Sequence, residues 1–261
     1  MDHRSVAHTR NQCHEEKALP FLPADTLQWP LNSGASCAQG ELVPSLQLVI
    51  FDCDGVLVDS EALSNGVLAE MVGELGVCLS LDETVDRFVG RSLGQSVEII
   101  AQLCGRSPPE WFLAQFAQRT KAAFTAHLKP IEGIEDLLRS LKVPFCVASN
   151  GNRAKMNFTL GLTGLLTTFA GRMYCAEDVD YPKPAPDLFL FAAQRHEAQA
   201  SRCVVVEDTP TGISAARAAG MHAYGFAAMI PADRLLDAGA HAVFHNMRQL
   251  SALLLHDQRD D

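Results

Sequence analysis

Val49-Ile50-Phe51-Asp52-Cys53-Asp54-Gly55-Val56-Leu57-Val58-Asp59-Ser60 is the stretch on which the reading of this chain turns. Its opening residues are uniformly apolar, as a strand buried on both faces of a parallel sheet must be. Two carboxylates then follow two positions apart, and a glycine breaks the run. Open α/β folds keep their ligand crevice at the carboxyl ends of such strands, so Asp52 and Asp54 are expected to face it. A solvated Asp-x-Asp-Gly turn would look the same in isolation, because short motifs recur by chance. Three further runs decide between the two readings.

Cys203-Val204-Val205-Val206 also ends in acids, Glu207 and Asp208, before Thr209-Pro210-Thr211-Gly212 and an alanine-rich helical stretch. These acids suit the start of that helix, where negative charge is favoured. They equally suit a shared cation: magnesium takes hard oxygen ligands and keeps several waters, so a few carboxylate or carbonyl oxygens from separate strands suffice. Pro144-Phe145-Cys146-Val147-Ala148 ends in Ser149-Asn150-Gly151 ahead of another helical stretch. That corner suits a phosphate, because backbone N–H groups and the helix dipole both favour an anion there, although ordinary turns use the same residues. In Tyr181-Pro182-Lys183-Pro184-Ala185-Pro186-Asp187 a lysine stands between prolines that stiffen the backbone, so it can be aimed at a phosphate as a point charge. Pro186-Asp187 reads as the start of a helix carrying Leu188, Leu190 and Phe191.

In this order the four runs resemble the haloacid dehalogenase superfamily, in its phosphatase and β-phosphoglucomutase-like branch, over residues 46–257. The resemblance implies Asp52 as nucleophile, Asp54 as general acid and base, and Ser149 and Asn150 as phosphate binders, with Lys183 steadying nucleophile and phosphate. It implies a Mg2+ site made by the Asp52 carboxylate, the Asp54 backbone carbonyl and Asp208, with Glu207 as a further ligand. The activity implied is hydrolysis of a small phosphorylated metabolite, a sugar phosphate, through an aspartyl-phosphate. Dehalogenase relatives lack the second aspartate, so Asp54 points to phosphorus chemistry. Mutase relatives carry a histidine ten residues after that aspartate, where this chain has Ser64, which favours hydrolysis over a β-phosphoglucomutase-like isomerisation. A phosphate-binding protein without catalysis is a third reading, opposed by the filling of all four catalytic positions. The motif surroundings look most like bacterial sugar-phosphate phosphatases, including those of the 6-phosphogluconate type.

The chemistry asks for these residue types on its own account. At about 4 Å and an effective dielectric near 20, a carboxylate meeting a phosphate dianion faces roughly 8 kcal/mol of repulsion. A divalent cation and a lysine would remove it and stabilise the transferring phosphoryl group.

The 261 residues carry a formal net charge of −10 and a pI of about 5.3, which gives no electrostatic footprint for nucleic acid. No stretch approaches the roughly 18 apolar residues of a membrane span, and a cytoplasmic monomer is expected. Eight cysteines are far too few for a disulfide scaffold, so reduced thiols are expected, with Cys53 a buried, inert strand residue. The spacing of His3, His8, Cys13 and His14 fits no zinc finger.

The expected fold is α/β, a doubly wound parallel sheet with a small α-helical cap domain inserted after the first strand. Residues 1–45 read as a loose extension, 46–60 and 132–257 as the core, and 61–131 as the cap. Apolar stripes predict cap helices through Leu63 to Leu75, Val97 to Leu103 and Trp111 to Leu128. Strands are expected at 47–52, 144–149, 173–175, 203–207, 222–226 and 242–244. The chain crossings near Asp59 to Glu61 and Pro130 to Gly133 would be hinges, and Gly90-Arg91-Ser92 is the candidate for cap contacts to substrate, with Arg91 as the binding residue.

Overall fold

The computed structural model describes residues 46–89, 91 and 93–256. The expected extension at 1–45 lies outside them, as do Gly90 and Ser92. The strands are β1 (Leu48–Phe51), β2 (Phe145–Ser149), β3 (Met173–Cys175), β4 (Cys203–Glu207), β5 (His222–Phe226) and β6 (Ala242–Phe244). All neighbours pair in parallel, in the order β3-β2-β1-β4-β5-β6. Strand order therefore reverses between β1 and β4, the switch point at which doubly wound sheets bind ligands.

Between β1 and β2 come α1 (Glu61–Glu74), α2 (Leu81–Phe88), α3 (Leu93–Cys104), α4 (Phe112–His127) and α5 (Ile134–Ser140). After β2 follow α6 (Arg153–Leu162), α7 (Asp187–Arg195), α8 (Pro210–Ala218), α9 (Ala232–Asp237) and α10 (Met247–His256). Strand alternation sends Val49, Phe51, Val147 and Val206 to one face of the sheet, where α5, α6 and α10 supply Leu137, Met156 and Leu250. Leu48, Ile50 and Val205 point to the other face, against Leu188 of α7, Ile213 of α8 and Leu235 of α9. No helix of the described residues is long and apolar enough to cross a membrane.

The helices α1 to α4 build their own apolar cluster from Leu68, Met71, Val72, Phe88, Ile100 and Phe112. Three of them match the expected stripes. Trp111 does not join the interior; it is 43% exposed, just ahead of α4. The helix α2 lies outside the expected stripes, although its capping box is legible: Ser80 and Glu83 cap each other's backbone N–H groups. The two chain crossings lie side by side, with the Asp59 N–H donating to the Lys129 carbonyl at 2.9 Å and that of Ile131 to Leu57 at 3.0 Å.

Candidate active site

The apolar β1 carries the chain to the switch point and stops, and Asp52 is the first residue beyond it, tied to β4 by its N–H donating to the Val206 carbonyl at 2.9 Å. Its side chain is almost fully buried. Burial pushes its carboxyl up to about 7 against the pull of Lys183, with Glu207 and Asp54 adding to the rise. The strand ends β4 and β2 deliver Glu207 and Ser149 to the same end of the sheet.

Lys183 is the buried cation of the site, 7% exposed. Its ammonium donates to Asp52 Oδ1 at 2.6 Å, Glu207 Oε1 at 2.7 Å and the Ala148 carbonyl at 2.8 Å, which uses all three of its protons. It also lies over the Phe189 ring, 4.7 Å from the centroid. Burial opposes its charge, but Asp52 and Glu207 outweigh that and hold its pKa above the ordinary lysine value.

Two of the expected site residues have side-chain partners within the protein. The Asn150 side chain is engaged with the lysine loop: its Nδ2 donates to the Lys183 carbonyl at 2.9 Å and its Oδ1 accepts from the Lys183 N–H at 3.0 Å. This two-point clasp fixes the lysine loop. Glu207 is likewise committed. One carboxylate oxygen accepts from Lys183, and the other from the Thr209 hydroxyl at 2.9 Å and N–H at 3.2 Å. The adjacent Gly212 has no room for a side chain, since a Cβ there would overlap the Glu207 carboxyl group. Glu207 thus anchors the lysine.

Asp208 has the opposite character. It is buried, its Oδ1 has no hydrogen-bond partner among the described residues, and its other oxygen occupies the space that a Cβ on Gly55 would need. Gly55 also has a φ of +75°, so the loop after Asp54 requires glycine twice over. Burial, then the charges of Glu207, Asp52 and Glu61, hold the Asp208 carboxyl well above the usual range.

Asp54 is gripped at both oxygens. The Ser60 hydroxyl donates to Oδ1 and the Lys155 ammonium to Oδ2, each at 2.8 Å. Glu61 stands nearby with its own pKa raised, by burial first and then by Asp54. Ser149 is buried, and its Oγ accepts the Gly151 N–H at 3.1 Å, leaving the hydroxyl proton at the start of α6. Arg91 is exposed between α2 and α3, and none of the strand-end acids among the described residues bonds it. Cys53 is buried, with its thiol pKa raised by burial and by both flanking aspartates, so it stays protonated.

Lys155, Ser60 and Glu61 are the site residues that no motif marks. Lys155 lies in the first turn of α6, and its partner Asp54 is 101 residues away in the chain. Ser60 and Glu61 are visible in the sequence only as part of a chain crossing.

The donor set suits a hard dication. Asp52, Asp54, Glu61, Glu207 and Asp208 are grouped with only Lys155 and Lys183 as cations among the described residues. No three His, Cys, Asp or Glu side chains of the described residues form a ready cage. Two carboxylates, a backbone carbonyl and water are nevertheless how magnesium is commonly held, and the unpartnered Asp208 oxygen could serve as one of the donors.

Residues 49–226 match the family described as haloacid dehalogenase-like hydrolase. The 6-phosphogluconate phosphatase of Escherichia coli (strain K12) is 32% identical over 185 residues, spanning 70% of this chain and 83% of its own length. A conserved haloacid dehalogenase-like protein of unknown function from Agrobacterium tumefaciens str. C58 superposes with a TM-score of 0.76 at 35% identity, over 81% of this chain and 98% of its own. A HAD family hydrolase from Deinococcus radiodurans R1, solved with bound phosphate and sodium, superposes at 0.73 with 34% identity, over 81% and 96%.

Proposed function

Because the chain belongs to the haloacid dehalogenase-like hydrolase family and is a phosphatase, we propose that it hydrolyses a small sugar phosphate in the presence of magnesium, through an aspartyl-phosphate on Asp52. The observation that carries this reading is the state of Asp52. It sits buried at the switch point with Lys183 on Oδ1 alone, and Oδ2 has no hydrogen bond from the described residues.

Asp52 attacks the phosphorus with that oxygen while the bond from phosphorus to the sugar oxygen breaks, so one difficult step becomes two. Asp54 protonates the departing oxygen and then takes a proton from the water that attacks the aspartyl-phosphate, releasing inorganic phosphate. Ser149 and the N-terminus of α6 bind the phosphate oxygens. Lys183, clasped by Asn150 and braced by Glu207, offsets negative charge at the nucleophile. The Asp52 carboxylate, the Asp54 backbone carbonyl and Asp208 would hold magnesium, which supplies further positive charge against the phosphate dianion. Glu207 is left out of that set because both of its oxygens are occupied.

Residues 61–131 act as a cap over this end of the sheet, with the paired crossings as hinges, and closure excludes water and selects the sugar. Hydrolysis is preferred to the mutase reaction because Ser64 turns its hydroxyl to the Glu61 carbonyl at 3.2 Å, so nothing at that position restrains water. The relative acting on 6-phosphogluconate makes sugar-acid and sugar phosphates the first substrates to test.

The test is a panel of sugar phosphates assayed for phosphate release, with magnesium and with chelator, for the wild type and Asp52→Asn. Magnesium-dependent release that Asp52→Asn abolishes supports the reading. Release in excess chelator, or near wild-type turnover by the variant, overturns it.

A further inference from the structure

We propose that Lys155 is the positioning residue for the general acid and base: its ammonium, with the Ser60 hydroxyl, fixes the Asp54 carboxylate beside the phosphate corner. This inference rests on the reading of Asp54 given above.

Three observations converge on it. Lys155 lies in the first turn of α6, whose cap is the Asn152 side chain accepting the Lys155 N–H at 2.8 Å. A cation in a first turn opposes the helix dipole, so this is a poor place for a lysine unless an anion is supplied. Asp54 supplies it at 2.8 Å. Second, the ammonium sits against the phosphate corner. A Cβ on Gly151 would lie 3.4 Å from Ser149 Oγ, 3.6 Å from Lys155 Cδ and 3.7 Å from Asp54 Oδ2, so the three side chains border one small volume. Third, α6 is locked to the loop that carries Asp54. Thr159, one turn after Lys155, has its hydroxyl on the Lys155 carbonyl at 3.1 Å and 3.9 Å from the Cys53 thiol.

The arrangement gives Lys155 a defined task. A carboxylate held by two donors, one on each oxygen, has little rotational freedom, and catalysis by a proton-transfer group depends on that orientation. The lysine side chain is 43% exposed and flexible, so it can release Oδ2, which takes up a proton from water and presents it to the ester oxygen, and can recapture the carboxylate afterwards. Lys183 cannot do this, since all its protons are spent on buried acceptors.

Leaving-group dependence provides the test. Protonation by Asp54 matters for a sugar alkoxide and hardly at all for p-nitrophenolate, which leaves without it. The variants Lys155→Met, Lys155→Arg and Asp54→Asn are compared in kcat/KM, which reports the steps up to departure of the leaving group. Lys155→Met is expected to lower kcat/KM for the best sugar phosphate by on the order of tenfold or more, a share of the usual general-acid contribution. It should change the value for p-nitrophenyl phosphate by less than about threefold, and Lys155→Arg should restore part of the loss. Equal losses on both substrates would assign Lys155 to phosphate binding or to the fold, and no loss on either would leave it idle; both results overturn the inference. Asp54→Asn keeps the outcomes separate. If it shows the leaving-group split and Lys155→Met does not, this inference fails and the reading of Asp54 stands; if Asp54→Asn shows none, that reading fails first.

Discussion

Lys183 stands 2.7 Å from Glu207 with both side chains almost fully buried, and this contact sets apart the two acids at the end of β4, since Glu207 is paired with a cation and Asp208 is not. Asp208, the next residue, keeps a buried oxygen that is unpaired among the described residues. Asp208→Asn should therefore raise the magnesium concentration for half-maximal activity by more than about tenfold, since even supporting partners of a metal site cost roughly 10–100-fold. Glu207→Gln should move that concentration by less than about threefold. It should instead lower stability, by about 1–3 kcal/mol, because a buried ammonium loses part of its compensation. Magnesium titrations and thermal unfolding of the two variants check this, and the reverse ranking contradicts it.

Two glycines are fixed by the acids they touch. In Gly212→Ala the new methyl would overlap the Glu207 carboxyl, and in Gly55→Ala it would overlap Asp208 at a backbone φ of +75°. Each is expected to cost about 1–3 kcal/mol of stability by overpacking and at least about tenfold in kcat/KM by displacing a group from its working position. Gly66, in α1, faces open space: among the described residues nothing outside the adjoining helix backbone lies within 4 Å of where an added methyl would sit. Gly66→Ala should be neutral or stabilise by up to about 1 kcal/mol. Denaturant melts of the three variants separate the two classes.

The crowded carboxylates set a direction for stability against pH in chelator. With its carboxyl raised from 3.8 to about 7, Asp52 binds more protons folded than unfolded between those values. Its contribution is full below the unfolded value and is lost as pH rises through about 7. Asp208 and Glu61 are raised as well and act in the same direction. Lys183 is raised too, but its contribution is lost only at alkaline pH, above this window. Urea midpoints in chelator should fall between about pH 5 and about pH 8. Added magnesium should restore more stability at the higher pH, where its ligands are deprotonated. A midpoint that rises with pH in chelator would contradict this account.

What the sequence discloses and what it hides follow from where the residues sit. Asp52, Ser149, Glu207 and Asp208 terminate uniformly apolar strands, and such strands announce themselves by composition, so the sheet and its crevice are legible almost to the residue. The expected strand at 47–52 is observed as Leu48–Phe51, and the flanking Gln47 and Asp52 still donate their N–H groups to the Arg202 and Val206 carbonyls. Local sequence cannot say which acid a lysine will claim. That depends on β4, the proline-flanked loop and Gly212 meeting in space, and so the contacts of Glu207 and Asn150 with Lys183 are not visible in the sequence. Lys155 is hidden for the same reason. Its partner lies 101 residues away along the chain, and a lysine in a first helical turn carries no motif. The helix α2 is hard to see because it has few apolar residues, although Ser80 and Glu83 mark its start.

The central claim is that Asp52 carries the phosphoryl group, and reductive trapping tests it most directly. Acyl phosphates are reduced by borohydride, which converts a phosphorylated aspartate to homoserine. Protein quenched during turnover with magnesium and a sugar phosphate, then reduced and digested, should yield homoserine at position 52 and nowhere else, and none when substrate is omitted. Unmodified Asp52 throughout active turnover, or homoserine at Asp54 or Asp208 instead, would contradict the account.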